Sequence, residues 1–186
     1  KKYDISDDLI QAFLNSMKMD LLKKDFHTVS EMKHYVYGSA EVVGLMCLKV
    51  FVKGNNSDYC DLENHARKLG SAFQKVNFLR DIKNDIEYLE RRYFPELIGS
   101  DFNEAAKRTI INDIERDFNE SYEGIKKLPK STRVGVLTAY NYYLRLLKKI
   151  RSKPAEMLLK KRIRIPDHVK WMILIRSYLM NKLDLI

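Results

Sequence analysis

Glycine and proline are scarce in this chain, seven and four among 186 residues, and there is one tryptophan and only two cysteines. The turn residues that a many-stranded fold needs are therefore in short supply. No segment alternates convincingly between apolar and polar residues, so period-2 strands are not expected. Cys47 and Cys60 show no metal-ligand spacing and suit a reducing, cytosolic setting. Cys47 lies in the apolar stretch from Val42 to Phe51 and reads as a small core residue. No apolar run reaches the roughly 18 to 20 residues that span a bilayer. The start, Lys1-Lys2-Tyr3-Asp4, has no initiator Met and no signal-like character, and reads as the middle of something longer.

What is present favours helices. Hydrophobic residues make up 45% and charged residues 32%, a globular composition with enough length for one domain and a sizeable core. Net charge is +9, from 34 Lys and Arg against 25 Asp and Glu. Such a balance suits nucleic acid, an anionic membrane surface or polyanionic small molecules. The basic residues are spread along the chain, denser only from Lys148 to Arg164, and no nucleic-acid-binding motif occurs, so nucleic acid is the least favoured of the three.

Helical periodicity recurs throughout. Ser6, before Asp7 and Asp8, suits the N-cap of a helix to about Leu22. Thr28 and Glu31 form a capping-box pattern ahead of a helix from about Ser30 to Val52. After the break at Gly54-Asn55-Asn56-Ser57, a long helix is expected from about Asp58 to Tyr88. Ser100 or Asp101 opens the next, to about Lys127, and further helices follow at Ser131 to Arg151, Pro154 to Lys161 and Asp167 to Leu183. With no repeat or linker, residues 1–186 are expected to form a single all-α domain.

The most informative stretch runs from Leu69 to Asp85. At about 100° per residue, Gln74, Asn77, Asp81 and Asp85 fall within an arc of about 80° on one helix face. Much of the remaining circumference is apolar, including Phe73, Val76, Leu79 and Ile82, so the helix should be packed inside protein. Two buried carboxylates repel one another and lose hydration, which a cation would relieve. Oxygen ligands of this kind suit Mg²⁺. The same Asp-x-x-x-Asp spacing on a lysine-rich helix also describes an ordinary solvated face. Residue physics alone leaves both readings open.

The stretch Leu69-Gly70-Ser71-Ala72-Phe73-Gln74-Lys75-Val76-Asn77-Phe78-Leu79-Arg80-Asp81-Ile82-Lys83-Asn84-Asp85 resembles the second aspartate-rich region of squalene and phytoene synthases, L-G-x-A-x-Q-x-x-N-x-x-R-D-x-x-x-D, at every fixed position. Tyr35-Val36-Tyr37-Gly38-Ser39-Ala40-Glu41-Val42-Val43-Gly44 is similar to that family's Y-x-Y-x-x-A-G-x-V-G helix. Arg91-Arg92-Tyr93-Phe94-Pro95 looks like its R-x-Y-L-P loop, and Met19-Asp20-Leu21 also matches. The resemblance is strongest toward bacterial phytoene synthases and weakens after about Phe102.

It implies an isoprenoid-synthase-type helical bundle, incomplete at the N-terminus, that joins two isoprenyl diphosphates head to head. Asn77, Asp81 and Asp85 would hold Mg²⁺, with Mn²⁺ as a substitute. Tyr35, Asp81 and Asp85 would be catalytic, with Tyr35 and Gln74 sharing the cavity of the metal residues. Ser39 and Val43 would line a prenyl tunnel. Arg80 would contact diphosphate or form a structural ion pair, and Tyr143 and Arg162 would complete the substrate site. The leading substrate is geranylgeranyl diphosphate, giving phytoene for carotenoid biosynthesis. The alternatives are a squalene or dehydrosqualene synthase using farnesyl diphosphate, with NADPH only for squalene, and a non-catalytic assembly or scaffold protein. A cytoplasmic enzyme is implied, with peripheral association at the inner membrane face an option for product release. Two departures stand out. Glu41 replaces a glycine, and the family's first aspartate-rich motif, which lies upstream of Met19, is absent, so these residues alone are expected to be inactive.

Overall fold

A computed structural model describes residues 2–99 and 102–186. The helices are α1 (Asp7–Leu22), α2 (Val29–Val36), α3 (Val42–Phe51), α4 (Asn56–Glu87), α5 (Glu104–Lys127), α6 (Lys130–Arg151), α7 (Ala155–Lys160) and α8 (Asp167–Lys182). Among the described residues there is no strand, only one isolated bridge between Asp25 and Arg92. None of these helices is long and apolar enough to cross a membrane.

Local chemistry sets most boundaries. Thr28 Oγ1 accepts from the Glu31 amide at 3.1 Å, while the Glu31 carboxylate accepts from the His27 amide at 2.8 Å, one residue earlier than a standard capping box. The long helix begins at Asn56, because Asn55 caps it by accepting from the Ser57 and Asp58 amides. Asn103 caps α5 through the Ala106 amide. The alternative start at Ser100 or Asp101 lies outside the described residues. Between α2 and α3 the expected continuous helix passes through one π-helical segment, Tyr37–Glu41. One extra residue per turn there re-aims the side chains that follow, and such segments are frequent at functional sites.

The long helix α4 is the axis of the bundle and packs chiefly on α5, with α3 and the π-helical segment on another side. Leu79, Val76 and Ala72 are fully buried there, against Ile111, Ile114 and Phe118 of α5. A buried ionic cluster also crosses this contact. Asp117 accepts from Ser71 at 2.7 Å and Lys75 at 2.8 Å, and Lys75 also reaches Asp113. Burial pushes the Asp113 carboxyl up, but Lys75 and Arg116 more than offset this and hold it below the usual carboxylate range. Close approach elsewhere needs glycine. A Cβ on Gly70 would lie 2.5 Å from the Ala40 carbonyl oxygen, and one on Gly124 would lie 2.3 Å from His65 Cβ.

Candidate active site

An apolar cavity of about 510 Å³ lies between α3, α4, α5 and α6, within the size range of small-molecule sites. Ser39 and Val43, the two residues assigned to a prenyl tunnel, and Gln74, expected beside the metal residues, are in its wall, together with Leu62, Leu69, Phe73 and Val136. Cys47 also lines it. Contrary to its reading as a core residue, Cys47 is exposed, and partial burial pushes its thiol pKa up. An apolar run reads alike whether it faces a core or an apolar cavity. Ser39 Oγ is buried without a hydrogen-bond partner, a polar group held against this wall.

The α4 stripe continues past Gln74, away from the cavity. Asn77 Oδ1 accepts from the Tyr143 hydroxyl at 3.2 Å, and the Tyr143 ring stacks on Phe73 with centroids 4.1 Å apart. One turn on, Asp81 pairs with Arg80, whose Nη2 is 2.5 Å from Oδ2, and with Arg162, whose Nε is 2.5 Å from Oδ1. Arg162 arrives from the segment after α7, 81 residues along the chain. Asp85 is half-buried. Burial, then the charge of Asp81, pushes its carboxyl up to about 6, opposed by Arg91, Arg80 and Arg162. Two carboxylates and three guanidiniums therefore gather at one end of α4.

Tyr35 stands apart from this cavity. It is 3% exposed and does not line the wall, packing instead with Phe26 (5.0 Å), Tyr93 (5.3 Å) and Phe78 (6.1 Å between centroids). Burial, then Tyr93 and Asp20, pushes its hydroxyl far above the tyrosine range, so it stays neutral. Nor do Asn77, Asp81 and Asp85 line the cavity; of the expected set only Gln74 does. Asp20 links the two regions, since Arg91 donates to its backbone carbonyl and sits 3.6 Å from its carboxylate. Asp20, Arg91 and Tyr93 carry no role in the sequence reading, although the R-x-Y motif and Met19-Asp20-Leu21 mark their positions. Glu41, the departure from the family glycine, lies outside the cavity wall and pairs with Arg67 at 2.8 Å.

The donor set fits a divalent cation in part. Among the described residues no three His, Cys, Asp or Glu side chains cluster as a complete metal site. Mg²⁺, however, is commonly held by one or two carboxylates with phosphate oxygens and waters completing its shell. Asp81 and Asp85, whose mutual repulsion raises the Asp85 pKa, suit that arrangement, with the Asn77 amide oxygen one turn away.

An all-helical bundle with a carboxylate-arginine cluster beyond an apolar cavity is what the isoprenoid-synthase resemblance implies. The solved structures agree. A dehydrosqualene synthase in complex with ligand matches at TM-score 0.77 and 21% identity, covering 95% of this chain and 66% of that one. A squalene synthase of Alicyclobacillus acidocaldarius matches at 0.67 and 18%, covering 77% of this chain and 59% of that one. Both likenesses concern the fold alone. The squalene/phytoene synthase family profile matches residues 1–168, and the chain belongs to this family. A chloroplastic phytoene synthase of an Oncidium hybrid cultivar is 32% identical over 162 residues, 77% of this chain and 39% of the relative. The 15-cis-phytoene synthase of Enterobacter agglomerans is 26% identical over 161 residues, 77% of this chain and 53% of the relative. The chain thus spans between about two fifths and about half the length of these two relatives.

Proposed function

We infer that the protein joins two isoprenyl diphosphates head to head, with geranylgeranyl diphosphate as substrate and phytoene as product. The observation that carries this reading is the run of α4 from an apolar cavity wall at Leu69, Phe73 and Gln74 to the ionic cluster at Asp81 and Asp85. A prenyl diphosphate has the same polarity along its length. The phytoene synthases among the relatives support the choice of hydrocarbon.

In this reading the diphosphate lies against Asn77, Asp81 and Asp85, with Arg80, Arg91 and Arg162 around it. Mg²⁺ bound by Asn77, Asp81 and Asp85 would supply charge neutralisation for the departing diphosphate. When the carbon–oxygen bond breaks, the diphosphate keeps the electron pair and an allylic cation remains. The double bond of the second substrate attacks that cation, and proton loss closes a cyclopropyl diphosphate. A second ionisation, rearrangement and proton loss give the linear hydrocarbon without a reductant. The guanidiniums stabilise the leaving anion, which is worth most where water is excluded. Phe73 and Tyr143, stacked beside Gln74 and Asn77, offer ring faces to the cation. Tyr35 acts at one remove, by packing on Tyr93 beside Arg91.

The test is hydrocarbon formation by the full-length protein from geranylgeranyl and farnesyl diphosphates with Mg²⁺, read by chromatography. Phytoene is expected, and Asp81→Asn should lower turnover by orders of magnitude with folding little changed. Wild-type-like turnover by that variant would overturn the assignment.

A further inference from the structure

The π-helical segment between α2 and α3 is gripped by two neighbouring helices. Gly38 seats it on α1, where an added Cβ would collide with Ser16 and lie 2.6 Å from the Ala12 carbonyl oxygen. Gly70 seats α4 against the Ala40 carbonyl, and a Cβ there would also lie 3.1 Å from Glu41 Cα. Arg67, one turn before Gly70 on α4, clasps both ends of the segment. Its Nε donates to Glu41 Oε2 at 2.8 Å, and its guanidinium lies 5.3 Å from the centre of the Tyr37 ring. Between those ends Ser39 and Ala40 line the cavity. The clasp lies outside the wall, and the segment it holds is part of the wall.

This segment sets the register of α3. The Val42 amide donates to the Tyr37 carbonyl, five residues back. Each residue turns an α-helix by about 100°. If the segment relaxed to plain α-helix, every later residue would turn into the direction now held by its successor. Val43 would take the place of Gly44, where a Cβ lies 2.7 Å from the Ala66 carbonyl oxygen and a valine does not fit. Glu41 would take the direction of Val42, which is fully buried in a cluster with Leu9 and Leu45. A carboxylate there would lose both its hydration and Arg67. Movement of α3 off α4 would relieve the valine contact and leave the carboxylate buried against α1. Glu41 thus favours the π register twice, by pairing in it and by opposing the alternative. The glycine of the family pattern does neither.

We propose that Glu41 and Arg67 are positioning residues for the prenyl chain, fixing the register of α3 so that Val43 and Cys47 face the cavity. This rests on the prenyl-diphosphate reading of the site. Neither Glu41 nor Arg67 lines the cavity, and Arg67 is about 21 Å of helix before Asp81, so the pair acts through the wall alone.

The experiment uses the full-length protein with Mg²⁺. It measures the affinities of geranylgeranyl thiolodiphosphate and of inorganic pyrophosphate for the wild type, Glu41→Val, Arg67→Ala and Arg67→Lys. Pyrophosphate reads the polar end, and the ratio of the two affinities reads the apolar wall. Glu41→Val removes the pair and makes the alternative register harmless. It should lower that ratio about fivefold, the scale of one ion pair of about 1 kcal/mol, with pyrophosphate affinity within about twofold of wild type. Arg67→Ala should act in the same direction by about threefold and serves if the valine variant folds poorly. Arg67→Lys, which keeps a cation opposite Glu41, should stay within about twofold of the wild-type ratio. A wild-type ratio in folded Glu41→Val and Arg67→Ala overturns the positioning role. So does an equal loss for both probes, which marks a general loosening of the fold. A wild type that binds pyrophosphate but not the prenyl analogue overturns the underlying reading instead.

Discussion

Replacing Asp85 with Asn should stabilise the metal-free protein. Burial first, and the charge of Asp81 second, push this carboxyl up to about 6, against about 3.9 in an unfolded chain. A folded value above the unfolded one means that ionised Asp85 costs stability. The cost is fully present above about pH 6 and disappears as pH falls toward about 4. Two pKa units at about 1.36 kcal/mol each set an upper bound near 3 kcal/mol. Because the side chain is only half-buried, solvent screening lowers the expectation to about 1–2 kcal/mol. In a chain of this size that is about 3–6 °C in Tm. Scanning calorimetry in EDTA at pH 7.5 should therefore show Asp85→Asn melting higher than wild type, with the gap narrowing as pH falls from about 6 toward about 4. Mg²⁺ with a prenyl thiolodiphosphate should reverse the order, because the wild type gains more from binding. A variant that melts lower than wild type at pH 7.5 in EDTA would instead make Asp85 a structural partner of Arg91, Arg80 and Arg162.

Other consequences of the structure are open to equally direct tests. Gly70→Ala drives a Cβ into the Ala40 carbonyl; overpacking of this kind costs about 1–3 kcal/mol, and chemical denaturation should show that loss. Asp113→Asn removes a carboxylate held below its usual range by Lys75 and Arg116. It should cost about 1 kcal/mol at pH 7, and the difference from wild type should shrink as pH falls below about 3.9. A loss independent of pH would mean that packing, rather than charge, sets the effect. Tyr143→Phe, which deletes the hydroxyl on Asn77 but keeps the ring on Phe73, should lower ligand affinity only a fewfold, whereas Tyr143→Ala should lower it about tenfold or more.

Much of this architecture is legible in the sequence because helix ends are written locally. The Thr28–Glu31 pair and the prolines place most boundaries within a few residues, and Ser6 occupies the expected N-cap position although its side chain makes no capping hydrogen bond. The π-helical segment at Tyr37–Glu41 is not legible, since one inserted residue barely disturbs an apolar run. The polar stripe on α4 follows from helix geometry, and the family pattern separates it from a solvated face. Where a side chain points across the bundle does not follow. Tyr35 sits in an aromatic cluster of the core, and Cys47 opens onto a cavity, because a core and an apolar cavity demand the same residue types. Arg162 meets Asp81 across 81 residues of chain, a contact that no local pattern encodes.

We propose that the carboxylates of α4 bind a prenyl diphosphate through a divalent cation. Titration calorimetry of geranylgeranyl thiolodiphosphate into the protein, with Mg²⁺ and with EDTA, tests it directly. Binding should require Mg²⁺ and weaken at least about thirtyfold when Asp81 and Asp85 are both changed to Asn, as expected for losing about 2 kcal/mol of charged contact. Equal affinity in EDTA, or an unchanged affinity in the double variant, would contradict it.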